Sequence, residues 1–116
     1  MKLHNIYFGN VNYEEKQSGK ERPVVVVNVD DKNADGTYVF GIYTYRKWFK
    51  SLENVKRYHE ITDLRSAGLN RRCFVDVARA INVEAVAIHK YKHLGALSES
   101  DSDALIAKMK EYERLA

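Results

Sequence analysis

Two charged residues in this sequence lie where they could act on a phosphate ester. Arg22 stands directly before Pro23 at the start of a β-branched stretch, and its planar fork of donors suits a phosphate whose negative charge is growing. Asp76 lies inside the apolar run 73–81, either on a solvent face or in a cleft. If it is partly buried it is the better candidate general base, because loss of water makes a carboxylate more basic.

A run of aromatic and basic residues follows the middle of the chain. Aromatic rings can stack on bases, and interleaved cations can hold the backbone of single-stranded RNA. The same composition also fits a dimer contact or packing inside a barrel. The residues are Tyr43, Tyr45, Trp48 and Phe49 with Arg46, Lys47 and Lys50.

Positive charge is concentrated in residues 46–72. That segment holds eight Lys or Arg against three acidic residues, a net charge of +5 in a chain whose total is +3. Such asymmetry is typical of a polyanion-binding surface, although a solvated basic face has the same composition. Arg71 and Arg72 either extend this basic track or belong to a solvated turn.

The bulk composition is that of one globular domain over residues 1–116. The longest apolar run is 24–27, too short to span a membrane, so we expect a cytoplasmic protein that does not associate with membranes. The single cysteine, Cys73, cannot form an internal disulfide and fits a reducing compartment, where we expect it to pack in the core.

The first half of the chain predicts three antiparallel strands. Residues 5–13 alternate with an interruption, which indicates a strand with a bend near Gly9. The strand 23–29 is apolar throughout and should be buried on both faces, with Pro23 at its first position. A turn at 30–36 then leads into a partner strand at 37–45.

The second half predicts one more strand and two helices. Thr62 can cap a short helix that Gly68 would end, and residues 73–81 form a strand. The last helix has Ser98 as its N-cap and an apolar face made of Leu105, Ile106, Met109 and Tyr112. The predicted fold class is therefore mainly β with helices (α+β), a small barrel or curled sheet.

Four local patterns in this order resemble one family, the MazF/PemK (Kid) toxins. They extend from Ile6 to Met109. The patterns are Ile6-Tyr7-Phe8 with the loop 17–21 and Arg22-Pro23-Val24-Val25-Val26-Val27; Ile42-Tyr43-Thr44; Ala67-Gly68-Leu69 with 74–81; and Leu94-Gly95-Ala96-Leu97-Ser98 with Asp101.

The resemblance implies an SH3-like, partly open barrel of the MazF/PemK/CcdB type with a C-terminal helix. It further implies a homodimer that cleaves single-stranded mRNA at short sequences without a metal or other cofactor. As the toxin of a type II toxin–antitoxin pair, such a protein has a cognate antitoxin that blocks its groove, and the two together can bind operator DNA.

The same resemblance implies the roles of individual residues. Thr44 matches the hydroxyl that acts at the phosphate contacted by Arg22, and Asp76 completes the predicted catalytic set. Outside the resemblance, Arg22 also fits a surface ion pair and Thr44 an ordinary strand position. The RNA-binding residues that we predict are Gln17, Lys20, Arg46, Lys47 and Trp48.

The chain departs from the family pattern at two places. The first loop reads Glu14-Glu15-Lys16-Gln17, with an extra residue before Arg22, and Phe74 stands where PemK-like members carry an arginine. One phosphate contact is therefore missing or supplied from elsewhere. These departures leave open a non-catalytic member of the fold that binds nucleic acid or protein. A further alternative is a CcdB-like gyrase inhibitor, which shares the fold, although Arg22-Pro23 and Thr44 favour the nuclease over it.

His89 and His93 raise the question of a metal site, since they are spaced as ligands on one helix face. No third ligand accompanies them in the sequence, so we predict no metal site there.

Overall fold

The computed structural model describes residues 2–11, 20–29, 36–45, 55–82 and 92–115. Within these ranges the chain forms six strands followed by one helix. The elements are β1 (Asn5–Val11), β2 (Lys20–Asn28), β3 (Tyr38–Thr44), β4 (Tyr58–Glu60), β5 (Cys73–Asn82), β6 (Lys92–Ala96) and α1 (Glu99–Leu115).

All six strands belong to one antiparallel sheet in the order β4-β5-β3-β2-β1-β6. The sheet is not closed by strand pairing, but the loop that follows β4 reaches the opposite edge strand β6. Ala96 N donates to Ser66 O at 3.0 Å, and Ser66 Oγ donates to Ala96 O at 2.8 Å. The sheet is therefore curled, and the predicted α+β class with a C-terminal helix is confirmed.

The β2 strand is buried on both faces, as predicted, with Val24, Val25 and Val26 fully inaccessible to solvent. The prediction that Pro23 begins this strand is wrong, because β2 begins at Lys20. Pairing between β2 and β3 starts only at Val24, so at Pro23 a missing N–H removes no hydrogen bond to β3.

Strand β1 is regular where a bend was predicted. Gly9 pairs with Arg22 in an unbroken register, and the irregularity lies instead between Ile6 and Tyr7, in the pairing with β6. The predicted partner strand after the turn is confirmed as β3, and the strand predicted at 73–81 is confirmed as β5. The predicted turn 30–36 lies mostly outside the described residues.

Strands β4 and β6 were not predicted. β4 has only three residues, too few for an alternating pattern to be visible. β6 contains Gly95 and includes residues that the sequence placed in the approach to the last helix.

The short helix predicted after Thr62 is reduced to a single turn. Asp63 rather than Thr62 caps it, because Asp63 Oδ1 accepts a hydrogen bond from Ser66 N at 3.0 Å. Gly68 ends the turn as predicted: it has φ +74°, and the next amide, Leu69 N, donates to Leu64 O at 2.9 Å. This pairing is the hydrogen bond of a Schellman motif, which requires a left-handed residue.

Helix α1 begins after Ser98, as predicted. Ser98 O accepts from Ser102 N at 2.8 Å, and its Oγ accepts from Asp101 N at 3.1 Å. Leu105 is fully buried, and Met109 and Tyr112 pack against the same core. Ile106, the other residue predicted for this face, is 38% exposed. No helix among the described residues is long and apolar enough to cross a membrane.

Strand alternation divides the sheet into two faces. On the helix face, which α1 covers, alternate residues of β3 and β5 join the main core, for example Ile42, Val75 and Val77. Cys73 belongs to this core at 4% exposure, as predicted. On the opposite side, the aromatic face, Tyr58 and Phe74 are buried and Tyr43 and Tyr45 pack against them.

Replacing Gly95 with alanine is expected to destabilise the protein by about 2–3 kcal/mol, because its Cβ would lie 2.4 Å from Ser66 O. Backbone atoms on both sides of this contact leave no flexible side chain to move aside. Urea unfolding measures the change. Ala104→Ser, which adds one atom at an exposed helix position, should change stability by less than about 0.5 kcal/mol. Equal stabilities of the two variants would contradict the close approach.

Candidate functional site

The aromatic face carries three arginines beside its rings. Arg22 Cζ lies 4.6 Å from the centre of the Tyr43 ring, and Arg57 Cζ lies 5.5 Å from that of Tyr58. The third, Arg72, stacks on Tyr45 and is described below. A guanidinium over a ring is held by the quadrupole of the π system, and exposed stacks of this kind bind bases and phosphates.

Arg22 reaches this face because of its position in β2. It lies two residues before Val24 and pairs with Gly9 of β1, while the ring beneath its guanidinium belongs to the adjacent strand β3. The half-buried side chain is therefore confined by its neighbours on two sides. This position suits an arginine whose donors must be oriented before a phosphate arrives.

Asp76 is buried on the same face of the sheet, at 3% exposure. Its carboxylate accepts two hydrogen bonds from Arg57, from Nε at 2.9 Å and from Nη2 at 2.8 Å, and a third from Ala78 N at 2.9 Å. The hydrogen bonds to Asp76 raise the pKa of Arg57 above its ordinary value. Of the two positions that the sequence left open, a solvent face or a cleft, Asp76 is buried, and both carboxylate oxygens accept hydrogen bonds.

Arg72 forms a similar pair at the end of the face. Its Nε and Nη2 donate to the two oxygens of Glu60 at 2.6 and 3.0 Å, and both side chains are about 40% exposed. The guanidinium lies 4.3 Å from the Tyr45 ring centre and 5.5 Å from that of Phe74. Arg72 is therefore ion-paired and stacked on a ring, although its side chain is partly exposed as in the solvated turn that the sequence left open.

Thr44 is not on this face of the sheet. Ile42 packs in the core on the helix face and Tyr43 packs on the aromatic face, so alternation returns Thr44 to the helix side. Its side chain is exposed at the end of β3, where it pairs with Cys73. The structure therefore brings Arg22 and Asp76 to one face and leaves Thr44 at the strand end on the other.

The predicted RNA-binding residues fall largely outside the described chain. Gln17, Arg46, Lys47 and Trp48 belong to ranges that the structure does not describe. Lys20 is described only as the first residue of β2, where it pairs with Val11 of β1.

Arg57 is the residue at this face that sequence reasoning missed. It was counted only as part of the basic segment, because a three-residue strand gave no periodicity that would place it. Its neighbour Tyr58 pairs with Asp76 across β4 and β5, and that register brings the guanidinium to the carboxylate. Phe74 is the one indication in the sequence, and it leaves open whether a phosphate contact is missing or is supplied by another residue.

A second polar cluster lies on the helix face, centred on Asp101 of α1. The carboxylate is 1% exposed and accepts hydrogen bonds from Thr62 N and Thr62 Oγ1, each at 2.9 Å, and from Asp63 N at 2.9 Å. The His59 ring bonds to it through Nε2 at 3.2 Å. This cluster fastens the start of the helix to β4 and to the loop that follows.

Both ionisable groups of this cluster have shifted pKa values. Desolvation lowers the pKa of His59, and the opposing influence of Asp101 does not reverse the shift. Burial alone would raise the pKa of Asp101, but the hydrogen bonds from Asp63 and Thr62 outweigh it and hold the pKa below the ordinary range. The folded protein therefore favours a neutral imidazole beside an ionised carboxylate.

The remaining ring and thiol groups make structural contacts. His93 lies on strand β6, where its Nε2 is 2.8 Å from Asn5 Oδ1 and its ring meets Tyr7 edge to face. His89 lies outside the described residues. Cys73 donates to Arg71 O, and burial raises its thiol pKa. In the described part of the chain no three His, Cys, Asp or Glu side chains gather as a metal site.

Comparison with known protein families and with curated proteins finds no match to this chain.

Acidification is expected to destabilise the fold through His59. Because its folded-state pKa lies below the ordinary 6.5, the unfolded chain takes up the proton first. The free energy of unfolding should therefore fall as the pH drops below about 6.5, by at most about 1.4 kcal/mol per pH unit for this one group. Asp101 adds a further loss below pH 3.8 as its carboxylate is protonated.

Urea unfolding at a series of pH values measures this dependence. His59→Gln, which keeps a donor for Asp101 but cannot titrate, should flatten the slope on the acid side. His93→Gln removes an exposed ring outside the cluster and serves as the matched control, with the wild-type slope expected. An unchanged slope in His59→Gln would assign the acid lability to other groups, among them the partly buried His4, whose pKa is also lowered by burial.

Proposed function

We propose that this chain is a metal-independent endoribonuclease that cleaves single-stranded RNA. The observation that carries the proposal is the placement of Arg22 and the buried Asp76 on one aromatic, arginine-bearing face of the sheet. The partly exposed rings of Tyr43 and Tyr45 would offer stacking surfaces for unpaired bases, and the guanidinium groups would offer donors for phosphates. The resemblance of the sequence to MazF/PemK toxins adds the reaction type.

The proposed reaction uses the RNA itself as nucleophile. The ribose 2′-oxygen attacks the adjacent phosphorus, its proton passes to a base, and the bond to the 5′-oxygen of the next nucleotide breaks. The products are a 2′,3′-cyclic phosphate and a 5′-hydroxyl, the latter after protonation of the leaving oxygen. The protein must stabilise a phosphorus centre that carries additional negative charge and must move two protons.

Arg22 is assigned to charge stabilisation. A guanidinium hardly deprotonates, so its contribution is electrostatic rather than that of an acid or base. Its confinement beside Tyr43 reduces the entropy lost when it binds a phosphate. Thr44 would serve as the hydroxyl donor only if the substrate passes around the exposed end of β3.

Asp76 is assigned as the general base, with one condition. Oδ1 accepts from both Arg57 Nε and Ala78 N, whereas among the described residues Oδ2 accepts from Arg57 Nη2 alone, so Oδ2 keeps a lone pair for the 2′-hydroxyl proton. The condition is that the ribose reaches this oxygen, because the Asp76 side chain is only 5% exposed.

The curled six-stranded sheet with α1 on one face supports the SH3-like, partly open barrel expected for a toxin of this type. The wider proposal therefore includes a homodimer, a cognate antitoxin that covers the groove, operator DNA binding by the complex and a cytoplasmic location. These elements rest on the resemblance.

A second candidate function is single-stranded RNA binding without cleavage. Two observations favour it: Thr44 lies on the other face from Arg22, and the oxygens of Asp76 are engaged by Arg57. The aromatic face would then bind RNA as a stacking platform. The gyrase-inhibitor alternative receives no support from a particular contact.

Wild-type protein is expected to cleave a mixed-sequence RNA in the presence of a chelator. Arg22→Ala should lower the cleavage rate by about 10²–10³, the usual loss when one stabilising donor is removed from a charged transition state. Arg65→Ala removes an exposed arginine from the loop on the helix face and should cleave as the wild type does. RNA that stays intact at high protein concentration would favour the binding function, and equal rates in all three proteins would exclude Arg22.

Asp76→Asn is expected to slow cleavage by about 10²–10⁴ and to remove the acid limb of the pH–rate profile. Glu60→Gln is the matched control, because it also neutralises a carboxylate that holds an arginine on this face. If Asp76 is the base, Glu60→Gln keeps the acid limb. An Asp76→Asn protein that cleaves as fast as wild type across that limb would disprove the assignment.

A further inference from the structure

The two ion pairs of the aromatic face share a geometry that leaves part of each arginine available. Arg57 uses Nε and Nη2 toward Asp76, and Arg72 uses Nε and Nη2 toward Glu60. Each carboxylate therefore occupies the side edge of its guanidinium. The end edge, formed by Nη1 and Nη2, keeps donors that no other described residue engages.

Those end edges belong to side chains that are partly exposed to solvent. The Arg57 and Arg72 side chains are 40% and 42% exposed, while the Asp76 carboxylate that anchors the first of them is only 5% exposed. A guanidinium can bind one oxyanion at its side edge and a second at its end edge. The carboxylate then fixes the orientation in which the second oxyanion is received.

The spacing of the anchors follows from the register of the strands. Glu60 pairs with Phe74, which lies two residues before Asp76 along β5. Two residues of an antiparallel strand span about 7 Å, so the anchors are offset by roughly that distance along the strand direction. This offset is comparable to the step between neighbouring phosphates of an extended single strand.

Aromatic rings lie beside both arginines. Arg72 stacks on Tyr45, which is half-buried, and Arg57 lies over Tyr58. Tyr58 is buried, but a base beside the half-buried Tyr45 would extend the stack that Arg72 begins. A peptide of Asp and Glu would match the charges but has no planar group to extend this stack.

We infer that Arg57 and Arg72, each held side-on by a carboxylate, form a clamp for two successive phosphates of single-stranded RNA. This inference deepens the proposed function and rests on it for the identity of the polymer. Asp76 and Glu60 act as positioning residues for the clamp. Arg57, in the turn before β4, would also supply the cation that Phe74 does not.

The clamp is tested by binding, separately from cleavage. The probe is a short, fluorescently labelled RNA of mixed sequence whose 2′-hydroxyls are methylated, so that internal attack is impossible. Dissociation constants from fluorescence anisotropy are measured over a range of salt concentrations. The proteins are wild type, Arg57→Gln, Arg72→Gln, the double variant, and Arg65→Gln as a control of equal charge change.

Each clamp variant is expected to bind about tenfold more weakly than wild type. The slope of log K against log salt should also fall by about 0.7 for each lost phosphate contact, and by about twice that in the double variant. Arg65→Gln should keep the wild-type slope, because this arginine lies on the helix face. If the wild type binds the probe and the variants show these losses, but the wild type does not cleave natural RNA, the clamp is supported and the nuclease function is rejected.

Three results would overturn the inference. One is a wild type that does not bind the probe, and another is a slope in Arg72→Gln equal to that in Arg65→Gln. The third is displacement of the probe by poly-glutamate as effective as displacement by unlabelled RNA. Arg57→Gln leaves Asp76 buried without its partner and can fail to fold, which circular dichroism detects. Arg72→Gln breaks only an exposed ion pair, so this variant should fold. If Arg57→Gln does not fold, the binding data for Arg72→Gln test the clamp.

Discussion

The carboxylate of Asp101 is the contact on which the arrangement of this protein depends. Its oxygens accept hydrogen bonds from Ser98 Oγ at the start of α1, from the His59 ring, and from Thr62 and Asp63 after β4. Four residues from three parts of the chain therefore converge on one buried carboxylate. A buried carboxylate is stable only when its oxygens are satisfied, so helix, edge strand and loop can take up just one relative position.

That fixed position has a consequence on the opposite side of the sheet. His59 faces α1, so alternation turns its neighbours Tyr58 and Glu60 toward the aromatic face. β5 repeats the division, with Val75 in the core and Asp76 beneath Arg57. The contacts that hold the helix thus determine where the arginines and rings are displayed, although no residue belongs to both clusters.

Sequence reasoning predicted the elements whose pattern is long or strongly marked. β2, β3, β5 and the capped final helix were found because apolar runs, alternation and a capping serine are local signals. β4 and β6 were missed because their pairing is determined by distant partners, and the start of β2 was misplaced because Pro23 was taken as a boundary. Arg22 and Asp76 could be named from the sequence because they lie at or within marked apolar runs. The Arg57 contact could not, because it depends on the register between β4 and β5.

The pairing of β1 with β6 unites strands from opposite ends of the described chain. During synthesis β1 leaves the ribosome long before β6 has been made. Until then the backbone groups on the β6 side of β1 have no strand to pair with. Contacts so distant in sequence slow folding and expose strand edges while the chain is incomplete. The exposed edge of β1 is therefore covered only when the last third of the sequence has been made and β6 can pair with it.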